Sequence, residues 1–362
     1  MSDIVKLTVN NVDYAGWKSV RIESGLERIA RSFELSVTEF WPGSGNNARR
    51  IFPGDLCEIR IGNDLVCTGY VDATPIDYDA TSITIMIRGR SKTADLVDCS
   101  ADTTTGQFKG LKVEAIAAKM AEPYGLSIIT ETDTGNVLTE HQIQQGESAF
   151  ESLDRLAKLR QVLITDNAEG NVVIASPGSG GSASSALELG VNILTGSAGF
   201  DYSEVYSKVV VKGQQTGTDD SFGTGAAQSS GESSGGLTRH RVLIVRQSGQ
   251  ADSDTCKKRA QYEQQLRAAK AQEVRYRVAG WRQSDGSLWR VNQYISIVDV
   301  IMQPTSRLLI SECIFTLDSS GMVTELIAMP SDAFLTEPEK KAKAKKRKKT
   351  DAGSDFTWDS DL

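Results

Sequence analysis

Acidic residues, histidines, thiols and one block of lysines are the side chains in this sequence that could do chemistry. Asp72, Asp77 and Asp79 lie close together, and two carboxylates held about 5 to 9 Å apart can hydrolyse a glycosidic bond. The three sit near strand ends, however, where aspartate is common in turns, and nothing in their spacing sets a separation. Asp219 and Asp220 fall in a Gly/Ser-rich tract, which is a poor support for acid/base work. The histidines are His141 and His240. Neither has a Cys, Asp, Glu or His partner at metal-ligand spacing, and Arg239 and Arg241 flank His240 with charge that opposes protonation and metal binding. Cysteines stand at 57, 67, 99, 256 and 313 without a CxxC. They read as small hydrophobes of a reducing compartment, with a Cys57–Cys67 disulfide as the minor alternative. There is no GxSxG elbow, no GK[ST] and no GxGxxG after a strand. The expectation is a protein without catalytic, cofactor-binding or metal-ligating residues.

The strongest charge feature is Lys340, Lys341, Lys343, Lys345, Lys346, Arg347, Lys348 and Lys349. It follows Pro330 and Pro338, outside the packed domains, and reads as a solvated end or as a docking strand for an acidic partner or nucleic acid. The net charge is −7; without these eight charges the chain holds 32 basic against 47 acidic residues, or −15. Such a body does not bind DNA by counterion release. It suits a soluble surface, or one past which nucleic acid slides without sticking. Trp281 and Trp289 flank Arg282–Gly286 and read as core packing rather than as a sugar- or partner-binding pair. No run approaches the ~18 apolar residues of a membrane span, and MSDIVKLTVN lacks a signal-peptide pattern. Folding in a cytoplasm is the default expectation.

The elements that would carry these residues are mainly strands. In the stretch from Pro53 to Asp98, Cys57, Ile59 and Ile61 alternate with Glu58 and Arg60, the period of a half-buried strand. Gly62-Asn63-Asp64 turns the chain, and Leu65, Cys67 and Val71 share a parity. A hairpin centred near Gly62 sets Cys57 opposite Cys67 and Ile59 opposite Leu65. Ile83, Ile85 and Ile87 form a third strand. Val5–Val9, Val20–Ile22 and Phe33–Val37 precede them, with a loop at Trp41–Asn47. Such short, regular strands predict a small barrel or sandwich over residues 1–100.

Residues 101–176 predict an α+β unit. Val113, Ile116, Ala117 and Met120 fall on one helix face, ended by Pro123 and Gly125. A second helix opens at Ser148 with Glu151 completing a capping box; its buried face is Phe150, Leu153 and Ala157, flanked by Leu156. Val162–Ile164 then pairs with Val172–Ile174. Residues 177–204 are linker and connection. A second β-rich domain covers 205–330, with a long mobile loop at 213–236 and a polar helix at 252–273. That helix carries a thin stripe of Tyr262, Leu266 and Ala269, and its Lys257, Lys258, Arg259, Arg267 and Lys270 read as a solvated face. The strands at 293–300, 308–315 and 323–329 echo the order of the Pro53–Asp98 strands, so this domain reads as a second barrel of the same type. Residues 331–362 are a basic then acidic tail, expected to be disordered.

Several stretches together resemble the baseplate hub proteins of contractile-tailed bacteriophages, most closely those of Mu-like phages. They are SGLERIARSFELSVTEFWPG (24–43), GDLCEIRIGNDLVCTGYVD (54–72), IMIRGRSKTADLVDCS (85–100), QQGESAFESLDRLAKLRQVLITDNAEGNVVIA (144–175) and VAGWRQSDGSLWRVNQYISIVD (278–299). The resemblance spans residues 1–330. It implies mainly β architecture with two similar small barrels and an α+β domain, assembled as a homotrimeric, pseudo-sixfold ring, as in the related N-terminal part of type VI secretion spike proteins. It further implies a non-enzymatic, virion-borne adaptor, assembled in the host cytoplasm and not inserted in a membrane. The adaptor would join a hexameric tail tube and other baseplate proteins to a trimeric membrane-piercing spike, and DNA would pass through it without specific binding. No role is carried over for the 213–236 tract or the Lys-rich tail. A tail-associated cell-wall hydrolase or carbohydrate-binding module using Asp72, Asp77 and Asp79 is the alternative, and a nucleic-acid binder using Lys340–Lys349 is a third reading.

Overall fold

The computed structural model describes residues 3–39, 51–80, 83–103, 106–214, 228–234, 237–250, 253–303 and 307–334. The chain opens with eight strands: β1 (Val5–Val9), β2 (Val12–Tyr14), β3 (Ser19–Gly25), β4 (Ser32–Glu39), β5 (Leu56–Ile61), β6 (Asp64–Ala73), β7 (Ile76–Tyr78) and β8 (Ile83–Ser91). Alternation drives them: β1 buries Val5, Leu7 and Val9 and leaves Lys6 and Thr8 partly exposed. Asn10 and Asn11 adopt positive φ, which matches the right-handed twist of a tight hairpin.

An α+β segment follows, with α1 (Ala94–Asp98), β9 (Gln107–Leu111), α2 (Val113–Ala121), β10 (Ile128–Thr130), β11 (Leu138–Gln142), α3 (Ala149–Arg160), β12 (Leu163–Asp166) and β13 (Val172–Ala175). The expected face of α2 is buried, and Gly125, in the left-handed region, closes the short turn after it. Ser148 and Glu151 form the reciprocal capping box on α3. The buried face of α3 is Ala149, Ser152, Leu153, Leu156 and Ala157. Leu156 is thus central, and Phe150 only packs against the core edge.

The remainder comprises β14 (Leu187–Glu188), β15 (Ile193–Gly199), β16 (Lys208–Gln214), β17 (Gln228–Ser234), β18 (Val242–Gln250), α4 (Ser253–Lys270), β19 (Glu273–Ala279), β20 (Tyr294–Val298), β21 (Arg307–Asp318) and β22 (Gly321–Met329). Composition marks 213–236 as a loop, yet Gln228–Ser234 forms an edge strand on β16 over seven residue pairs. Backbone hydrogen bonds hold it, which need no apolar side chains. Residues 215–227 and 235–236 of that tract lie outside the described set. On α4 the buried residues are Cys256, Ala260, Glu263 and Ala269, with Tyr262 and Leu266 only half-buried. The helix packs Cys256 and Ala260 on Val209 and Val211 of β16, which rotates the expected stripe.

Two regions of the chain build one sheet. Its order is β15–β19–β22–β21–β3–β4–β8–β6–β5–β1–β2, with β20 on β21, β14 on β20 and β7 on β8. The two halves repeat: β3, β4, β8, β6 and β5 are joined as β15, β19, β22, β21 and β20 are, every pair antiparallel. Registers agree residue by residue. One row across the first half runs Arg21, Glu34, Arg88, Ala73, and its counterpart runs Ser197, Arg275, Ile327, Glu312. Both halves carry a bulge at the same step, between Val71 and Ala73 and between Ile310 and Glu312. The segment holding β16, β17, β18 and α4 is inserted between β15 and β19, which hides the repeat in sequence.

The halves are joined edge to edge. β3 pairs with β21 from Gly25↔Glu312 to Val20↔Leu317, and one core runs through the joint. It includes Leu7, Ile22, Leu35 and Ile59 from one side and Tyr276, Trp281, Leu308 and Phe315 from the other. Each such side chain contributes about 1.5–3 kcal/mol by leaving water.

The β5–β6 hairpin departs from the expected register. Cys57 lies opposite Gly69 and Ile59 opposite Cys67, with a slip between Ile59 and Arg60. The turn is centred between Gly62 and Asn63, which moves each partner by one residue, and the bulge moves it by one more. Cys57 and Cys67 are free and buried. β6 and β8 approach so closely that a Cβ at Gly69 would stand 1.9 Å from the Arg90 carbonyl oxygen, a position only glycine tolerates.

Candidate functional site

Among the described residues, Asp72, His141 and four of the cysteines are bound in structural contacts or buried. Asp72 accepts from Arg90 Nε at 2.7 Å, and the same guanidinium reaches Asp98 at 2.6 Å. The hydrogen bonds from Arg90 hold the Asp98 carboxyl below its ordinary value. Asp77 stands on the exposed strand β7 opposite Thr84, and Asp79 follows that strand. None of the three lines the cleft of about 480 Å³ between Val66, Asp166, Trp289 and Asn292. The carboxylates of that cleft include Asp64, bound to Arg282, Asp166, bound to Arg31, and Glu131, bound to Ser179.

His141 is buried, stacked on Phe108 with its Nε2 2.8 Å from Ser152 Oγ. Burial, reinforced by Arg155, pushes its imidazole below the ordinary value. His240 is exposed. Among the described residues no cluster of three His, Cys, Asp or Glu could hold a metal. Burial pushes the Cys57 thiol up to about 12 and those of Cys67 and Cys313 higher still, so none is a ready nucleophile. On α4, Arg259 and Arg267 both bind Glu263, and Lys258 binds Asp254. Arg259, Arg267 and Lys258 are thus held in ion pairs, but Glu263 is buried, so this part of the helix is not the solvated face that the sequence suggests. Trp281 and Trp289 are core residues. Lys340, Lys341, Lys343, Lys345, Lys346, Arg347, Lys348 and Lys349 lie outside the described residues, as do the Trp41–Asn47 loop and Asp219 and Asp220.

Two polar nodes that residue type alone does not single out fasten the parts together. Asp166, at the end of β12, accepts from the Arg31 backbone N–H at 3.1 Å, from Arg31 Nε at 3.0 Å and from Ser91 Oγ at 2.6 Å. Arg31 also donates to the carbonyls of Val66 and Asp166. This locks the α+β segment onto the first half of the sheet. Arg282, next to buried Trp281, reaches Asp3 and Asp64, each at 2.7 Å. Those two carboxylates raise its already high pKa, and the pair of contacts ties the second half of the sheet to the first. The only sequence signal was an arginine beside a tryptophan, or an aspartate in an assumed turn, neither of which names a partner.

What the described surface does offer is unpaired strand edge. β7 is exposed throughout, and β15 is largely exposed along Leu194–Ser197. Backbone groups on such edges are free to pair with another chain. Such edges suit assembly with further chains.

Residues 4–91 match the N-terminal domain described as Mu phage baseplate assembly protein GpP-like. Residues 93–176 match the second domain of baseplate hub protein gp44-like proteins, and residues 252–337 match the fourth domain of Mu phage baseplate assembly protein GpP. The baseplate hub protein gp44 of Escherichia phage Mu is 30% identical over 365 residues, covering 98% of this chain and 95% of that protein. A crystal structure of the 43 kDa tail protein of prophage MuSo2 from Shewanella oneidensis superposes with a TM-score of 0.83 at 32% identity, covering 92% of this chain and 99% of that one. A type VI secretion system component of E. coli shares the fold at 10% identity and a TM-score of 0.56, over 92% of this chain and 79% of that one. Fold, registers and sequence converge: the chain belongs to the family of Mu-like phage baseplate hub proteins.

Proposed function

We propose that this hub protein is a non-enzymatic symmetry adaptor, a homotrimer whose ring joins the hexameric tail tube to a trimeric spike and encloses the path of the genome. One observation carries the reading: a single chain holds two β modules with the same strand order, register and bulge. Three such chains present six near-equivalent modules on the tube side while keeping threefold symmetry for a spike. The mechanism is mechanical and electrostatic. A continuous β ring with shared cores transmits force, and the acidic body, −15 without the Lys340–Lys349 block, repels passing DNA. The commitment of Asp72 to Arg90 speaks against the hydrolase reading.

The test is the mass of the assembly. Multi-angle light scattering on the purified full chain at micromolar concentration is expected to give three times the chain mass of 39.2 kDa. A strict monomer would sink the adaptor reading.

A further inference from the structure

The joint between β3 and β21 shows how one module docks on the next, and the repeat says where the equivalent joint lies at the other end of the chain. Ser197 holds the place of Arg21, because each begins its own cross-sheet row. Asp77 holds the place of Thr316: Asp77 pairs with Thr84 and Thr316 with Val323 in the same register of their hairpins. Inside the chain, Arg21 pairs with Thr316. Among the described residues the counterparts, β15 and β7, each lack that partner.

Burial records the difference. Phe315, whose edge β3 covers, is 4% exposed, whereas its counterpart Ile76 is 46% exposed. Tyr78, the counterpart of Leu317, is 79% exposed. Opposite these large residues, the same transposition brings Ala198 and Gly196, which stand where the first half has Ile22 and Val20. Large side chains on β7 would thus meet small ones on β15.

We infer that β15 of one copy of this chain pairs antiparallel with β7 of the next, Ser197 opposite Asp77, Ala198 opposite Ile76 and Gly196 opposite Tyr78. The contact is head to tail, and repeating the same rotation within and between chains closes a ring. This rests on the homotrimer proposed above and adds to it the edges and the register.

Cysteine cross-linking tests it. In a Cys99→Ser background, the full chain carrying Ser197→Cys and Asp77→Cys is oxidised with diamide and run on a non-reducing gel. Linked species of two and three chains are expected, reversed by reductant and absent from either single variant. Arg21→Cys with Thr316→Cys, the internal equivalent, is expected to close within one chain and serves as the positive control. An assembly that keeps its trimer mass but forms no interchain link, while the control closes, overturns the pairing and leaves the trimer standing. A strict monomer overturns both. As a second readout, Ile76→Asp with Tyr78→Asp puts charges at the joint without touching the core. It is expected to weaken association about tenfold or more with an unchanged unfolding midpoint, and unchanged association would count against the interface.

Discussion

Replacing Asp166 with alanine is expected to destabilise the protein by roughly 3–5 kcal/mol, the usual cost of removing one partner of a buried ion pair. Its side chain is 2% exposed and that of Arg31 17%, so water cannot take over the lost contacts. One carboxylate group serves the residue between β3 and β4, the end of β8 and the end of β12 at once. Its loss takes a partner from the guanidinium, the Arg31 backbone N–H and the Ser91 hydroxyl together. Asp166→Asn keeps the shape and part of the hydrogen bonding, and a smaller loss is expected. A double-mutant cycle with Arg31→Ala isolates the pair, and strong coupling between them is expected. The measurement is the urea midpoint followed by tryptophan fluorescence. A midpoint unmoved by Asp166→Ala would mean that the node does not hold the α+β segment in place.

Trp281→Ala is expected to cost about 3–5 kcal/mol, as large-to-small changes at buried aromatics do. Trp281 is fully buried, meets Phe315 edge-on with ring centroids 6.2 Å apart, and donates its indole N–H to the carbonyls of Thr316 and Val323. Phe315 in turn pairs with Ile22 across the β3–β21 joint. The cavity therefore opens beside the seam between modules. Trp281→Phe should recover most of the packing but not the indole hydrogen bond, leaving an intermediate loss. Thermal unfolding of the three proteins checks the order. Equal midpoints for the alanine and phenylalanine variants would show that the ring contributes little.

Much of this was readable beforehand because it is local. The alternation in Val5–Val9, the apolar face of α2 and the Ser148–Glu151 capping box depend on residues a few positions apart. The family resemblance, from which the expectation of assembly came, likewise stood on contiguous stretches. Other features escaped. The bulge at Ile59–Arg60 moved the Cys57 register, since alternation says which face a residue takes but not its partner. Asp166 falls just beyond the expected strand Val162–Ile164, yet it is the buried end of β12. The three-strand echo was visible, but its extension to β15 and β19 was masked by the inserted segment with β16, β17, β18 and α4.

The sequence alone determined that this is a β-rich protein with an α+β segment and a repeated strand pattern. Those conclusions rest on periodicity and spacing, which act over a few residues. Only the tertiary structure decided that Val20–Gly25 pairs with Glu312–Leu317, that Arg31 meets Asp166, and that, among the described residues, β7 and β15 are left with bare edges. Such pairings join segments hundreds of positions apart, and any strand edge offers another the same backbone donors and acceptors. Which edges meet is settled when the whole core packs, so no local pattern announces it.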